Sequence, residues 1–322
     1  MTYRAIRGLF CLTMLVLLFP ATLSACAPAQ SVPGELKGTI SVSGAFALYP
    51  LMQSWTQEFQ TLHPGVQFDV SAGGAGKGMA DTLAGAVDIG MISREISKDE
   101  EAKGAAWVAV ARDAVFPVIS AQNPAAKELL AKGLTQAQFI RIFISGDAKT
   151  WGDLLGNPAA GESIHAYTRS DSAGAADTWA AYLGKKQENL LGIGVSGDPG
   201  ISEAVGKDPL GIGYSNLNYA FDPASGKAVA GILVLPLDAN ANGQADPGER
   251  VDTKAQAIEL VASGKYPSPP ARLLYLATKG KPAGLTAAFL RWILTDGQKY
   301  LAETGYIALP PERLEQELQK VP

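Results

Sequence analysis

The fold is decided by three consecutive segments, TISVSGAFA (39–47), VQFDVSAGGAGKG (66–78) and VDIGMISRE (87–95). Each begins as an apolar strand pattern and changes to small residues where a helical pattern starts. Strands that alternate with helices predict a parallel sheet whose loops lie together at one edge. The first N–H groups of a helix have no partner within it, so such loops hold anions without lysines. One glycine-rich loop alone would be an ordinary turn. Three in succession, the third ending in Arg94, predict an oxyanion site.

The N-terminus is typical of a bacterial lipoprotein signal. Two arginines precede an apolar run, 9–19, that is too short to span a bilayer and suits a signal peptide. The next stretch resembles a lipobox, which implies a signal peptide of residues 1–25 and lipid on Cys26. A chance cysteine in an ordinary secretory signal is the alternative. Residues 26–37 would hold the lipidated cysteine and a flexible tether. We therefore expect an extracytoplasmic protein that is attached to a bacterial membrane, periplasmic or at the cell surface, by its lipid anchor only.

The charge balance excludes two classes of partner. The 322 residues include 27 basic and 31 acidic ones, for a net charge of −4. Removal of residues 1–25, which hold two arginines and no acid, leaves 25 basic against 31 acidic residues, or −6. A mildly acidic chain without basic runs does not suit nucleic acid or a polybasic membrane patch. The length and the 47% apolar composition are sufficient for two α/β lobes.

The rest of the chain continues to alternate strand and helix patterns. Two apolar strands, 107–111 and 116–120, flank Arg112 and Asp113. The last strand pattern, 273–278, follows a proline-rich break and precedes helical patterns that reach the C-terminus. This order predicts one lobe that is interrupted by another.

The chain resembles the phosphate-binding lipoproteins that serve high-affinity phosphate ABC transporters. Each matching stretch is short, but their order and spacing agree over almost the whole mature length. The stretches are 42–51, 73–78, 88–95, 167–174, 211–214, 297–298 and 305–310.

This resemblance implies an α/β, two-lobed periplasmic-binding-protein fold of type 2. Each lobe would be a mostly parallel sheet flanked by helices, and two crossover strands would form a hinge with the ligand between the lobes. Residues 38–115 plus 273–322 would form lobe 1, and residues 116–272 lobe 2. The chain would cross between them near Asp113 and near Pro270.

The resemblance also implies the ligand contacts. Backbone N–H groups and side chains would come from the three loops of lobe 1, and an arginine with a small-residue turn from lobe 2. Structural ion pairs are the alternative role for the two arginines. The implied ligand residues are Ala45, Phe46, Gly74, Ala75, Gly76, Ser93, Arg94, Arg169, Ser172, Ala173 and Gly174.

The chain departs from the family at the hydroxyl groups. Relatives carry hydroxyl side chains in these loops where this chain has Ala45 and Ala75, and the lobe 2 turn lacks a threonine. Each lost hydroxyl removes a hydrogen bond of about 0.5–1.5 kcal/mol. Discrimination of protonated phosphate from sulfate needs an acceptor for the ligand's proton. Asp171 is the nearest acid in sequence, although a capping or exposed carboxylate is the other interpretation.

A calcium site is predicted by a motif that the family resemblance does not include. Residues 238–249 read DANANGQADPGE, with oxygen-bearing side chains at loop positions one, three, five, nine and twelve and glycine at six. This is the EF-hand loop pattern, in which position seven contributes a backbone carbonyl. A polar turn without metal is the alternative. The predicted structural Ca²⁺ ligands are Asp238, Asn240, Asn242, Gln244, Asp246 and Glu249.

The function expected from these observations is binding rather than catalysis. Neither His63 nor His165 lies in a nucleophile motif or has zinc-ligand spacing. The resemblance implies a monomer that captures phosphate, or a similar tetrahedral oxyanion, and delivers it to an ABC permease. An anion-sensing or adhesive surface lipoprotein with no transport partner is the alternative.

Overall fold

The secondary structure is a mixed array of strands and helices in the part of the chain that the structure, a computed structural model, describes: residues 35–157 and 161–322. The strands are β1 Gly38–Gly44, β2 Val66–Ala72, β3 Ile89–Ile92, β4 Ala105–Ser120, β5 His165–Arg169, β6 Ile193–Val195, β7 Gly211–Asn216, β8 Ile232–Val234 and β9 Ala271–Lys279. The α-helices are α1 Tyr49–Leu62, α2 Ala75–Ala84, α3 Lys98–Ala102, α4 Ala126–Lys132, α5 Gln136–Phe143, α6 Trp151–Leu155, α7 Gly174–Tyr182, α8 Gly197–Lys207, α9 Leu217–Ala220, α10 Lys254–Ala262, α11 Gly284–Leu294, α12 Tyr300–Thr304 and α13 Pro311–Gln319. Short 3₁₀ helices span Phe46–Leu48, Gln187–Asn189 and Asp296–Lys299.

The strands form one nine-stranded sheet in the order β2-β1-β3-β9-β4-β7-β5-β6, with β8 paired to β4. The outer pairs β1–β2, β1–β3, β5–β6 and β5–β7 are parallel, as predicted. Every pairing of β4 and β9 is antiparallel. The sheet is therefore mixed rather than mostly parallel, because the central strands connect the two halves.

Strand β4 is the element that joins the two halves of the sheet. Its first part pairs with β9 as far as Ala114, and from Val115 onward it pairs with β7. The sequence patterns at 107–111 and 116–120 were separate strands in the prediction, but they are one strand of 16 residues. The two predicted strands are continuous because Arg112 and Asp113, which lie between them, also pair with β9.

Two clusters of buried side chains lie on either side of the crossing. One runs from Ile40 to Ala111 and resumes at Leu274, and we call this part lobe 1. The other runs from Ala114 to Ala271, with Ile307 added from the C-terminal segment, and we call it lobe 2. The lobe boundaries given by the sequence remain a prediction, and the core residues change cluster within a few residues of them.

Several predicted features of the N-terminus lie outside the described residues. These are the signal peptide, the lipidated Cys26 and most of the tether. Among the residues that the structure describes, no helix has the length and apolar character that crossing a membrane requires.

Candidate functional site

Three helix starts converge on a small cavity between the lobes. The lobes approach so closely there that no room for a water-sized molecule is left. Lobe 1 contributes the starts of the first 3₁₀ helix and of α2, and lobe 2 contributes the start of α7. The lining residues are Ala45, Phe46, Ala47, Gly74, Ala75, Ser93, Arg169, Ala173, Gly174, Ala175, Asp198 and Asn216.

The cavity wall offers backbone N–H groups rather than hydroxyl groups. The helices begin at Phe46, Ala75 and Gly174, and the first N–H groups of each have no partner inside the helix. Gly74, the residue before α2, has φ 93°, a conformation that favours glycine. Ser93 is the only hydroxyl-bearing residue among the lining residues. An anion here would be held mainly by N–H groups and by the positive ends of the helix dipoles.

Arg169 lies in the cavity wall with its guanidinium already engaged by two carboxylates. Its Nε and Nη2 donate to Asp171 at 2.8 and 2.5 Å, and its Nη1 donates to Asp198 at 2.7 Å. Burial opposes the charge of Arg169, but Asp198 and Asp171 outweigh it and raise its pKa. The guanidinium carbon also lies 5.4 Å from the ring centre of Phe46. The arginine therefore lines the cavity and forms ion pairs as well, so it brings no unpaired positive charge to the cavity.

Asp198 is one of the cavity's lining residues, whereas Asp171, the acid nominated from the sequence, is not. Burial opposes the ionisation of Asp171, but the hydrogen bonds and charge of Arg169 outweigh burial and lower its pKa. Asp198 is 1% exposed and accepts from the backbone N–H and side-chain amide of Asn216 at 3.2 and 2.7 Å. Asp198 is thus the acid among the lining residues of the cavity.

A buried polar chain continues from the cavity to the crossover strands. The Asn216 side chain accepts a hydrogen bond from Arg272 on β9, which also donates to Asp113 on β4 at 3.1 Å. Burial raises the pKa of Asp113, and Arg272 opposes that rise. The site and the crossing are therefore parts of one hydrogen-bonded network.

The lobes touch each other around the cavity. The N–H of Gly76 donates to the carbonyl of Ser172 at 3.0 Å, and the hydroxyl of Tyr219 donates to the carbonyl of Phe46 at 3.2 Å. A Cβ atom at Gly174 would lie 2.4 Å from the carbonyl oxygen of Ser93, so this approach needs glycine. The structure therefore has the lobes closed on the cavity.

Eight of the eleven predicted ligand residues line the cavity. Three do not: Gly76 and Ser172 contact each other across the lobes, and Arg94 points elsewhere. The lining N–H of Ala173 is also engaged, since it donates to the Gln187 side chain at 3.1 Å. The prediction placed these groups on the ligand because sequence order does not show which N–H groups other residues accept.

Arg94 forms an ion pair that links the two lobes. Its Nη1 and Nη2 donate to Glu100 at 3.0 and 2.7 Å, and its Nε lies 3.2 Å from Asp177 of α7. The loop after β3 does not lead straight into a helix, because α3 begins only after its cap Ser97. That extra loop length lets the arginine reach Glu100 instead of the cavity.

Four lining residues were missed from the sequence: Ala47, Ala175, Asp198 and Asn216. The alanines stand next to residues that were predicted. Asp198 lies at the start of α8 and Asn216 at the end of β7. A fourth strand–loop–helix pattern, at 193–207, was the available signal for Asp198, the second residue of α8.

The loop 238–249 folds back on itself through its own side-chain oxygens. Asp238 accepts from the N–H groups of Asn242 and Gly243 at 3.1 and 2.9 Å. Glu249 accepts from the N–H groups of Ala239 and Asp246 at 2.8 and 3.1 Å, so the last loop position lies against the second. Helix α10 follows the loop and begins after its cap Thr253. No cluster of three or more His, Cys, Asp or Glu with metal-binding geometry occurs within 35–157 and 161–322.

Comparisons with known proteins agree with this architecture. The phosphate-binding protein PstS of Bacillus subtilis is 27% identical over 282 residues, which cover 86% of this chain and 84% of the relative. PstS of Pseudomonas aeruginosa is 28% identical over 330 residues, which cover 94% and 92%.

Solved structures show the same fold. A candidate phosphate ABC transporter substrate-binding protein from Clostridium perfringens, with bound phosphate, superposes with a TM-score of 0.69 at 23% identity over 85% of this chain and 100% of its own. An ABC-type phosphate transport receptor from Vibrio cholerae gives 0.62 at 18% identity over 84% and 100%. The family model of the PBP superfamily domain matches residues 29–297. The chain therefore belongs to the PBP superfamily, the periplasmic-binding-protein fold that its crossover strands and interlobe cavity display.

Proposed function

We propose that this protein is an extracytoplasmic substrate-binding protein that captures phosphate between its lobes and delivers it to an ABC permease. The observation that carries the proposal is the convergence of three helix starts, from both lobes, on one closed cavity. Such an arrangement favours an anion of compact shape. The names of the relatives in Bacillus subtilis and Pseudomonas aeruginosa support phosphate as that anion.

The charge arrangement favours a protonated oxyanion. Arg169 is balanced by Asp171 and Asp198, so the cavity itself carries no net positive charge from side chains. Phosphate near neutral pH keeps a proton that needs an acceptor, and sulfate has none. Asp198 is the acid that lines the cavity and would accept that proton. Ser93 would supply one hydroxyl hydrogen bond, so we expect the affinity to rest on backbone donors.

The compartment and the anchor are further parts of the proposal. The signal-like residues 1–25 and the cysteine at 26 support export and lipidation, which would hold a monomeric receptor near its permease. We propose binding and transport rather than catalysis, because the relatives are named as binding proteins.

Calcium binding is proposed as a structural addition to lobe 2. The approach of Glu249 to the start of the loop, together with the deeply buried Asp238, supports a ligand set that surrounds one position. One Ca²⁺ would take the place of the N–H groups from which these oxygens now accept hydrogen bonds.

Calorimetric titration tests the proposed function. The protein is first freed of bound anions by dialysis in mild denaturant and refolded, then titrated with phosphate, sulfate, molybdate and tungstate. We expect one phosphate per chain and no heat of binding from sulfate. If molybdate or tungstate binds and phosphate does not, that anion is the substrate instead of phosphate. If no anion binds, the proposal is contradicted. Co-purification with a permease encoded beside this gene separates transport from sensing or adhesion.

A further inference from the structure

A second and larger cavity lies beside the crossover strands. This hinge cleft has a volume of about 730 Å³, within the range of small-molecule sites. It shares no lining residue with the anion cavity. Its walls come from both lobes and from the segment that precedes β9, and they include Arg94, Asp177, Ala181, Lys185, Pro269 and Arg272.

Arg272 gives the hinge cleft a buried donor that has no partner. The residue is 8% exposed, and its Nη1 and Nη2 donate to Thr178 and Asp113, each at 3.1 Å. Its Nε–H has no hydrogen-bond partner within the described residues. A buried guanidinium N–H without an acceptor is unfavourable, and an anion in the cleft would reach this atom after a small displacement of the side chains that cover it.

The remaining charges of the cleft are more positive than negative. Arg112, Lys185 and Lys186 line it, and none of them has a carboxylate partner in the described part of the chain. Arg112 instead donates to the carbonyls of Val261 and Ala262.

Three acids also face the cleft. Asp177 is paired with Arg94, whereas Glu95 and Glu188 have no cation partner among residues 35–157 and 161–322. Three unpaired cations against two unpaired acids leave a small positive excess.

Part of the wall of the hinge cleft is apolar. Its lining includes Ala181 of α7 and three residues around the start of β9, Pro269, Ala271 and Leu273. A fully hydrated inorganic ion makes no use of such a wall, whereas an organic body gains from covering it.

We propose that the hinge cleft is a second ligand site, which binds an amphipathic organic anion. The acidic group of the ligand would lie against Arg272 and the lysines, and its apolar body against Pro269 and Leu273. An occupant would contact both lobes at the hinge, beside the Arg94–Asp177 ion pair. The proposal does not depend on which anion the small cavity takes.

The test uses a matched pair of fluorescent probes on the purified protein. The first is 1-anilinonaphthalene-8-sulfonate, an amphipathic aromatic anion, and the second is N-phenyl-1-naphthylamine, the same ring system without the sulfonate. We expect the sulfonate to saturate one site per chain and to bind at least about tenfold more tightly than the neutral probe, since hydrogen bonds to charged groups are the stronger ones. Equal affinities, or no saturation, would overturn the proposal.

Variants locate the bound probe. Ala181→Trp should fill the cleft and weaken sulfonate binding at least about tenfold, while Ala224→Trp, on an exposed turn of lobe 2, should leave it unchanged. Replacing both Lys185 and Lys186 by alanine should weaken sulfonate binding about three- to tenfold. The control, in which Lys207 and Lys227 are both replaced by alanine, should bind the sulfonate as the wild type does.

Probe binding is compared only between variants that are folded. Melting curves in the absence of probe check that each variant is folded, and the lysine pair is exposed and should not affect folding. If Ala181→Trp and Ala224→Trp bind the sulfonate equally, the probe lies elsewhere and the assignment of the cleft is wrong.

Discussion

The contact between Gly174 and Ser93 allows closure of the lobes to be tested by a single methyl group. Gly174 is the first residue of α7 in lobe 2, and Ser93 follows β3 in lobe 1. An added Cβ would lie 2.2 Å from the Ser93 hydroxyl and 2.4 Å from its carbonyl oxygen. The hydroxyl can rotate away, but the carbonyl belongs to the backbone. Gly174→Ala should therefore act against the closed arrangement of the lobes, while the N–H of residue 174 is retained.

The magnitude follows from the distances. Ordinary contact begins at 3.4 Å, so the carbonyl oxygen has to retreat by 3.4 − 2.4, or about 1 Å. The same movement would lengthen the nearby hydrogen bond from the N–H of Gly76 to the carbonyl oxygen of Ser172, now 3.0 Å. Overpacking of this kind destabilises by about 1–3 kcal/mol, which corresponds to a phosphate Kd about 5- to 150-fold higher.

The open form should not be harmed by the same change. Alanine is favoured over glycine in a helix by about 0.5–1 kcal/mol, so the melting temperature without ligand should stay the same or rise. Gly200→Ala is the matched control, because an added Cβ in that helix meets only Val195, at 3.8 Å. Phosphate affinity by calorimetry, melting without ligand, and the radius of gyration by small-angle scattering are measured for both variants.

Two results would refute this reasoning. If Gly174→Ala binds phosphate as tightly as Gly200→Ala, the Ser93 contact is not part of closure. If Gly174→Ala instead melts several degrees lower without ligand, the contact belongs to the fold of the free protein.

Further predictions concern the hinge, the charges and the metal loop. Saturating phosphate should reduce the radius of gyration of the wild-type protein, and an unchanged value would exclude a hinge closure. Arg169→Ala should weaken phosphate binding far more than Lys77→Ala. The first change leaves two carboxylates unpaired beside the ligand, whereas Lys77 pairs at the surface with Asp81. Equal losses of affinity would show that the site lies elsewhere. If ~1 mM calcium binds a ~10 µM site in the 238–249 loop, it adds about 2.7 kcal/mol and raises the melting temperature by a few degrees, an increase that Glu249→Ala or chelator should abolish. Glu317→Ala should lower the free energy of unfolding in urea by about 1–3 kcal/mol, since the buried carboxylate accepts the N–H of Ala109 at 3.0 Å, whereas the same change at the exposed neighbour Glu315 should have little effect.

Local patterns in the sequence were sufficient to predict the strands and helix starts of lobe 1. The segments 39–47 and 66–78 lead from strand to helix where the small residues begin, because apolar alternation and glycine act over a few residues. The same patterns led to Ala45, Phe46, Gly74 and Ala75 as lining residues, since parallel strands bring their following loops to one edge. Their role as ligand contacts stays a prediction.

The partners of charged side chains could not be predicted in the same way. Arg94 and Arg169 were both plausible anion ligands by type and position, yet Glu100, Asp171 and Asp198 engage them. Two of these acids lie within six residues of their arginine, but nothing local shows that Asp198, 29 residues away, shares its pocket. Ion pairs depend on distances across the fold, and sequence spacing does not measure those.

The sequence by itself determined the alternation of strands and helices, the small-residue loops at the strand ends and the calcium-loop pattern, because each depends on the conformational preferences of neighbouring residues. Only the tertiary structure decided that β4 is one strand through both lobes, that Gly76 and Ser172 seal the cavity rather than line it, and that Asp198 enters the wall. These depend on how the two lobes approach each other, and that approach is fixed by contacts between residues far apart in the chain.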